Sequence, residues 1–210
     1  MSRYFPAFLD LRGRRCLVVG GGEVGTHKAR ALAECGARVT VVSPTATPAL
    51  AALAEAGRLV HRARAFVARD LRGSTLVVAA TGLGAVDGAV AALARRRRVL
   101  VNVVDRPLAC DFIVPSVLRR GPLQIAVSTG GRSPALAREI RRELEALFPQ
   151  DYGEFVEDLG EARARARAGA ATAGGRARAA ERVVRAALSA RGAAGALPPR
   201  RPGSVARTPH

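Results

Sequence analysis

A short apolar run, Cys16 to Val19, leads directly into three glycines and a helix-forming segment, and this junction constrains the fold more than any other part of the chain. Gly20, Gly22 and Gly25 have the spacing of the G-x-G-x-x-G turn between a strand and a helix. In such a turn the first glycine makes the tight bend, the second lets the backbone approach a pyrophosphate, and the third lets the helix pack on the strand. Since the helix then presents free N–H groups to the anion, the pattern predicts dinucleotide binding rather than a tight turn alone.

The segment after this helix supports that prediction. A second apolar run, Arg38 to Ser43, follows at the spacing of a strand–helix–strand unit. Ser43, Pro44 and Thr45 stand at its end, where an acidic residue commonly holds the ribose of NAD, and no arginine stands there to favour NADP. Ribose recognition therefore depends on hydroxyl or backbone groups, and the choice between the two cofactors leans towards NAD.

Apolar runs and helical patterns alternate as far as Asp111, which predicts an α/β fold with a Rossmann-like, doubly wound parallel sheet. Three further strands are predicted at 58–61, 74–80 and 98–104, with helices at 46–56 and 85–97. Ligands bind at the carboxyl ends of such strands. The candidate site residues are therefore those that end or follow a strand, namely Gly20, Ser43, Thr81 and Asp105.

The alternation of predicted strands and helices ends after Asp111. Two strands flank a turn at 119–122, and a helix begins at Ser133 and Pro134. That helix carries an apolar stripe formed by Leu136, Ile140, Leu144 and Leu147. The stripe predicts a small α+β module for dimerisation and substrate covering, and packing on the chain's own Rossmann domain is an equal alternative. We therefore expect four parts: an NAD-binding Rossmann domain at 1–113, the dimerisation module at 114–150, a helical segment at 151–192 and a disordered tail at 193–210.

The net charge of +17 suggests a nucleic-acid partner, but the composition weakens that interpretation. Aromatic residues make up 4% of the chain and are not interleaved with the arginines, so base-stacking platforms are absent and we expect no nucleic-acid partner. The apolar runs are short and the first residues lack a signal-peptide pattern, so we expect no membrane span and a cytoplasmic location. Cys16, Cys35 and Cys110 are widely spaced and predict buried thiols rather than disulfides or a zinc site.

Several motifs occur in an order and spacing that together resemble a known family. They are Gly20–Val24, Lys28–Ala29, Leu32, Gly36–Ala37, Val41–Pro44, Asn102–Asp105, Asp111–Ser116 and Ser128–Pro134. The family is that of precorrin-2 dehydrogenase, which includes sirohydrochlorin ferrochelatases. The resemblance implies a homodimer that oxidises precorrin-2 to sirohydrochlorin with NAD in sirohaem biosynthesis, and in some members also inserts ferrous iron. Since no methyltransferase domain follows, we expect the stand-alone form of the family.

For that chemistry Asp105 is the predicted catalytic residue, because a carboxylate at the mouth of the crevice can take a proton while NAD takes the hydride. A solvent-facing turn cap is the alternative role. The predicted NAD contacts are Gly20, Gly22, Glu23, Val24, Gly25, Ser43, Pro44, Thr45, Thr81 and Val104. The predicted contacts of the tetrapyrrole substrate are Ser128, Thr129, Gly130 and Gly131, with an ordinary loop as the alternative. The histidines form no cluster, so no structural metal is predicted, and ferrous iron enters only as a substrate.

Three other functions compete with this interpretation. A regulatory NAD-sensing module would share the glycine turn without doing chemistry, but such modules usually keep an acidic residue after the second strand. A short-chain dehydrogenase would need a Tyr-x-x-x-Lys pair, which this sequence lacks. An RNA-binding protein would be supported by charge alone. Asp105 and the loop at Gly130 and Gly131 favour the enzyme.

Overall fold

The structure is a computed structural model that describes residues 4–169 and 171–193. The chain divides into two compact units, and the boundary in the sequence lies between Val114 and Pro115. The predicted disordered tail, 193–210, lies outside the described residues apart from its first position. The assignment of separate roles to 114–150 and 151–192 stays a prediction.

The first unit is built on a parallel sheet of five strands. They are β1 (Arg15–Val19), β2 (Arg38–Val42), β3 (Val60–Arg62), β4 (Leu76–Ala79) and β5 (Leu100–Val103). Their order in the sheet is β3-β2-β1-β4-β5, and every neighbouring pair is parallel. The reversal of strand order between β1 and β4 creates a crevice at the carboxyl ends of these strands. This arrangement confirms the predicted Rossmann-like fold.

Three helices flank the sheet, namely α1 (Glu23–Glu34), α2 (Pro48–Glu55) and α3 (Gly84–Arg96). Successive side chains of a strand face opposite sides, so Leu17 and Val19 belong to one buried cluster and Cys16 and Val18 to the other. Burial on both faces explains why the central strands β1 and β4 are almost entirely apolar. The fully described crossover from β3 to β4 has only a short 3₁₀ turn, Ala68–Leu71, where this fold commonly has a helix.

The second unit begins with an antiparallel pair, β6 (Ser116–Arg120) and β7 (Leu123–Val127), joined through Gly121 and Pro122. Helix α4 (Pro134–Leu147) packs on this pair, and its first turn is capped by the Ser133 hydroxyl, which accepts a hydrogen bond from the Leu136 N–H at 3.2 Å. Two long helices follow and pack together, α5 (Tyr152–Ala168) and α6 (Ala173–Ala193).

The apolar stripe of α4 is only partly covered within the second unit. Leu136 and Leu147 are 52% and 42% exposed, whereas Ile140 and Leu144 are half-buried. None of the helices formed by the described residues is long and apolar enough to cross a bilayer.

The three cysteines are free thiols. Cys16 is buried as predicted, but the same prediction is wrong for Cys35, which is exposed just after the end of α1, and holds only in part for Cys110.

Candidate functional site

The glycine turn after β1 is shaped by two very close backbone approaches. Gly20 has a φ of +118°, and a Cβ there would lie 2.3 Å from the Ala80 carbonyl oxygen. A Cβ at Gly25 would lie 2.1 Å from the Gly20 carbonyl oxygen. Both distances are far inside van der Waals contact, so only glycine fits at either position. The first glycine bends the chain, and the third lets α1 pack on the turn.

Gly22 is different, because no atom of the described residues lies within 4 Å of the position a Cβ would take. It is the N-cap of α1 with a φ of −73°, a backbone conformation that any residue can adopt. The packing of the protein therefore does not require glycine here. The open space lies directly before the free N–H groups of α1, where Glu23 and Val24 form an exposed first turn, and it suits a pyrophosphate.

Gly21 is a constrained position that the sequence analysis missed. A Cβ there would lie 2.3 Å from the Thr45 carbonyl oxygen and 3.0 Å from the Ser43 hydroxyl oxygen. The loop after β2 therefore lies directly against the glycine turn. The available signal was a glycine between Gly20 and Gly22, at a position that the G-x-G-x-x-G pattern treats as variable.

A chain of hydroxyl groups holds this loop in place. The Thr26 hydroxyl donates to the Gly22 carbonyl oxygen at 2.9 Å and lies 2.8 Å from the Thr47 hydroxyl, which also caps α2. The Thr47 N–H donates to the Gly21 carbonyl oxygen at 3.0 Å. Two threonines therefore tie the turn to the segment that follows β2.

The three residues predicted to recognise ribose are placed differently. Ser43 is buried beneath Gly21, and its carbonyl oxygen lies 3.1 Å from His61 Nε2. Pro44 and Thr45 are exposed at the same edge. The buried serine shapes the turn, and the exposed pair is accessible to a ligand.

Thr81 follows β4 and is bound within the protein. Its hydroxyl donates to Asp87 Oδ1 at 2.8 Å, and its N–H donates to the same oxygen at 3.2 Å. Asp87 lies buried in the first turn of α3. The Thr81 hydroxyl oxygen also accepts a hydrogen bond from the Leu83 N–H at 3.0 Å, so the side chain and the N–H of Thr81 are already engaged and its carbonyl oxygen is the group that can face a cofactor.

Asp105 lies just beyond the carboxyl end of β5, as predicted. Val104 is still held to β4, since its N–H donates to the Ala79 carbonyl oxygen at 3.0 Å. Asp105 itself is exposed and has a φ of +59°, in the left-handed region that non-glycine residues rarely adopt. Backbone strain of this kind costs about 1–3 kcal/mol and is concentrated at functional sites.

The strained conformation is supported by the segment that follows. The Cys110 thiol accepts a hydrogen bond from the Val103 N–H at 3.1 Å and lies 3.2 Å from the Val103 carbonyl oxygen. The Asn102 side-chain amide donates to the Phe112 carbonyl oxygen at 3.0 Å. These contacts fold the chain back on β5 and fix the loop that carries Asp105.

Lys28 is the charged neighbour of Asp105 that the sequence analysis did not assign. It is the single lysine of the chain, half-buried on α1. Burial lowers the pKa of its ammonium group, and the charge of Asp105 acts in the opposite direction by raising it. The two side chains therefore interact electrostatically across the carboxyl edge of the sheet, although their residues are far apart in the sequence.

The predicted substrate loop lies in the second unit, where Gly130 and Gly131 have φ values of +64° and +82°. The Thr129 hydroxyl donates to the Ser133 carbonyl oxygen and accepts from the Ser133 N–H, both at 3.0 Å. The Ser128 hydroxyl oxygen accepts from the Gly130 N–H at 3.1 Å, and its proton is available to a ligand. Within the described part of the chain, no group of three or more His, Cys, Asp or Glu residues could hold a metal ion.

Comparison with known proteins identifies the family. Residues 7–116 match the family described as putative NAD(P)-binding, and residues 120–147 match the one described as sirohaem biosynthesis protein central. The sirohaem synthase of Methylobacillus flagellatus is 48% identical over 151 residues. The chain belongs to the sirohaem synthase family. This confirms the resemblance found in the sequence.

The sirohaem synthases that match are longer proteins. The Methylobacillus flagellatus protein is matched over 72% of this chain and 32% of its own length. The one from Chromobacterium violaceum is 49% identical, over 73% of this chain and 33% of its own length. This chain thus spans about a third of the curated sirohaem synthases it matches. The solved structure of SirC, a precorrin-2 dehydrogenase, has a TM-score of 0.70 at 24% identity, over 89% of this chain and all of that one, which shows a shared fold.

Proposed function

We propose that this chain oxidises precorrin-2 to sirohydrochlorin with NAD as the hydride acceptor. The observation that carries the proposal is the arrangement of groups at the carboxyl edge of the sheet. There an open anion-binding turn at Gly22 shares one edge with Asp105, which is held in a strained conformation and coupled to Lys28. The family to which the chain belongs indicates the substrate, and the SirC structure supports the same fold.

The glycine turn fits a dinucleotide. The pyrophosphate would occupy the space before Gly22, facing the N–H groups of Glu23 and Val24, while Gly20 and Gly25 keep the turn tight. The ribose would lie against Pro44 and Thr45, with Ser43 shaping the loop beneath them. The nicotinamide side would meet the backbone of Thr81 and Val104. When bound, NAD supplies the acceptor for the hydride.

Asp105 would take the proton that leaves with the hydride. The oxidation removes a hydride and a proton from precorrin-2, so the products are sirohydrochlorin, NADH and one proton. The exposed Asp105 carboxylate can accept that proton and pass it to water. The ammonium group of Lys28 offsets the negative charge of the carboxylate between turnovers.

The substrate carries several carboxylates, which arginine and hydroxyl groups bind well. We assign one of these contacts to the loop at Ser128–Gly131, where the Ser128 hydroxyl retains a free proton. The exposed Leu136 and Leu147 support a homodimer formed through α4. A cytoplasmic location and the absence of nucleic-acid and membrane partners stay predictions.

One anaerobic experiment tests the proposed activity. The pure protein is incubated with precorrin-2 and NAD, and the absorbance of the tetrapyrrole is followed with and without ferrous iron. We expect sirohydrochlorin to form only when NAD is present. A further change to the sirohaem spectrum on adding iron would assign iron insertion to this chain as well. Unchanged precorrin-2 in the presence of bound NAD would contradict the proposal and leave a sensing role.

A further inference from the structure

A cavity of about 610 Å³ lies at the amino ends of β1, β2 and β3, on the opposite edge of the sheet from the glycine turn. It exists because the crossover from β3 to β4 contains only the 3₁₀ turn Ala68–Leu71, so this crossover provides no helix to cover this end of the sheet face. Arg15 and Arg38 are paired in register at the starts of β1 and β2, and both line the cavity.

The lining is strongly basic. It includes six arginines: Arg15, Arg38, Arg58, Arg62, Arg69 and Arg72. One carboxylate, Asp70, accompanies them, and its side chain is fully buried. It accepts hydrogen bonds from Arg62 at 3.0 Å, from Arg64 at 2.6 Å and from the Val67 N–H at 3.0 Å. These contacts, led by that of Arg64, lower its pKa to about 2. Its charge is therefore already used by two guanidinium groups.

Most of the remaining arginines have no acidic partner. Arg15, Arg58, Arg69 and Arg72 are exposed, and none makes an ion pair with an acidic residue in the described ranges. The guanidinium of Arg38 is fixed by donating to the Gly13 carbonyl oxygen at 2.8 Å. Uncompensated like charges around one concavity repel each other, and a bound anion would remove that repulsion.

The positive charge continues along the whole amino edge. A second cavity of about 480 Å³ shares Arg69 and Arg72 with the first and adds Arg97 and Arg98. Each of the five strands also has an arginine at its first residue or within four residues before it. These arginines are Arg15, Arg38, Arg58, Arg72 and Arg98. Residues scattered over the sequence thus converge at one edge of the folded sheet.

We propose that the 610 Å³ cavity is a second anion site that binds a compact molecule carrying several phosphate or carboxylate groups. Its size is that of a small-molecule site, and the planar guanidinium group binds both phosphate and carboxylate with two parallel hydrogen bonds. Among the described residues that line it none is aromatic, so they provide no stacking surface of the kind found in single-stranded nucleic-acid sites. The site is separate from the glycine turn, so the proposal does not rest on the activity given above.

Calorimetric titration of the full chain tests this site. Tripolyphosphate and citrate are titrated separately at low salt, with NAD present in excess so that the glycine turn is occupied. We expect one molecule of anion to bind per chain. Substituting Arg58→Gln together with Arg72→Gln should weaken binding about a hundredfold, since each lost charge-assisted contact is worth about tenfold or more. The tighter of the two anions identifies phosphate or carboxylate as the preferred chemistry.

The matched control carries the same change in net charge away from the cavity. Arg30→Gln with Arg138→Gln removes two exposed arginines from α1 and α4. This variant should bind as the parent does. If the double variant in the cavity does not fold, each single variant should show about a tenfold loss. Failure of both anions to bind, or equal losses in the two pairs, would overturn the proposal. Tighter binding of a short single-stranded RNA that depends on Arg58 and Arg72 would overturn it in favour of nucleic acid.

Discussion

The two edges of the five-stranded sheet present positive charge in different ways. At the carboxyl edge the backbone shapes the space for an anion, because Gly20 and Gly25 allow close approaches and Gly22 leaves room before α1. At the amino edge, side chains provide the charge, and arginines accompany the start of every strand. A backbone-built site is fixed before the ligand arrives, whereas an arginine-built site must order long side chains around it.

Because of this difference, anion binding at the two edges should depend on different properties of the protein and the solvent. Binding at the carboxyl edge depends on which residues lack a side chain, so it is sensitive to added atoms. Binding at the amino edge depends on exposed charge, so it is sensitive to salt, which screens such charges within about 10 Å at 0.1 M ionic strength. Substitutions at the two edges should therefore fail in different ways.

The largest effect is expected from Asp105, which tests whether chemistry resides at the carboxyl edge. Asparagine is the sharper substitution, because it tolerates the left-handed backbone but cannot accept a proton at neutral pH. Asp105→Asn and Asp105→Ala should each slow precorrin-2 oxidation by about a hundredfold or more, with little change in NAD affinity. Turnover is measured from the absorbance of NADH.

The control for Asp105 is Glu34→Gln, which removes an exposed carboxylate at the far end of α1 and should keep parental turnover. If Asp105→Asn keeps near-parental turnover and Asp105→Ala does not, Asp105 positions the substrate and does not act as a base. If alanine is also tolerated, the catalytic assignment is wrong.

The second prediction separates two glycines of the same turn. Gly25→Ala places a Cβ 2.1 Å from the Gly20 carbonyl oxygen, so the free energy of unfolding should fall by about 3 kcal/mol. Gly22→Val meets open space, so it should cost less than about 1 kcal/mol and yet abolish NAD binding. Urea unfolding and calorimetric titration with NAD measure the two quantities. A Gly25→Ala protein as stable as the parent would show that α1 does not pack on the turn as described. A Gly22→Val protein with parental affinity would show that NAD does not bind at this turn.

Asp70 gives a smaller effect, this time on stability at the amino edge. The pKa of its carboxyl is lowered from 3.8 to about 2, so the carboxylate stabilises the fold above pH 4, and this contribution is lost as the pH falls through about 2. Asp70→Asn should lower the free energy of unfolding at pH 7 by about 1 kcal/mol, since the partly exposed Arg62 and Arg64 are screened by water.

The pH dependence provides the check on Asp70. The stability difference between Asp70→Asn and the parent should shrink between pH 4 and pH 2, and NAD affinity should not change at pH 7. A difference that persists undiminished at low pH would show that packing, and not charge, accounts for the loss.

The smallest effect concerns the coupling of Lys28 to Asp105. Because the chain has one lysine, isotopic labelling of lysine gives a single side-chain signal whose titration reports this pKa directly. The pKa should lie below the ordinary 10.5 and should fall further in Asp105→Asn, since the charge that raises it has been removed. Glu34→Gln on the same helix should leave it unchanged. An unaltered titration in Asp105→Asn would mean that the two charges do not interact.

The sheet could be predicted from the sequence because its signals are local. Apolar runs of the right length mark the strands, and the spacing of Gly20, Gly22 and Gly25 marks the turn. The position of Asp105 beyond β5 followed from the same alternation. Its catalytic role was favoured by the family resemblance, whereas the NAD-binding role of the turn came from the glycine spacing, and both stay predictions.

The missed features depend on contacts between distant segments. Gly21 is constrained by Thr45, Thr81 is engaged by Asp87, and Lys28 is coupled to Asp105 only after the chain has folded. The basic amino edge was missed for the same reason, because its arginines are scattered through the sequence and meet only at the starts of neighbouring strands. Periodicity reveals elements, and it carries no information on which loops become neighbours.

The missing crossover helix also affects how the sheet opens. β3 has three residues, has β2 as its single neighbour among the strands of 4–169 and 171–193, and leaves Val60 56% exposed. Little apolar burial opposes its detachment, so its amide protons should exchange with solvent well before those of the central β1. An anion that bridges Arg58 to the neighbouring strands would oppose the detachment of β3. Slower exchange of the β3 amide protons alone would then indicate that the anion has bound.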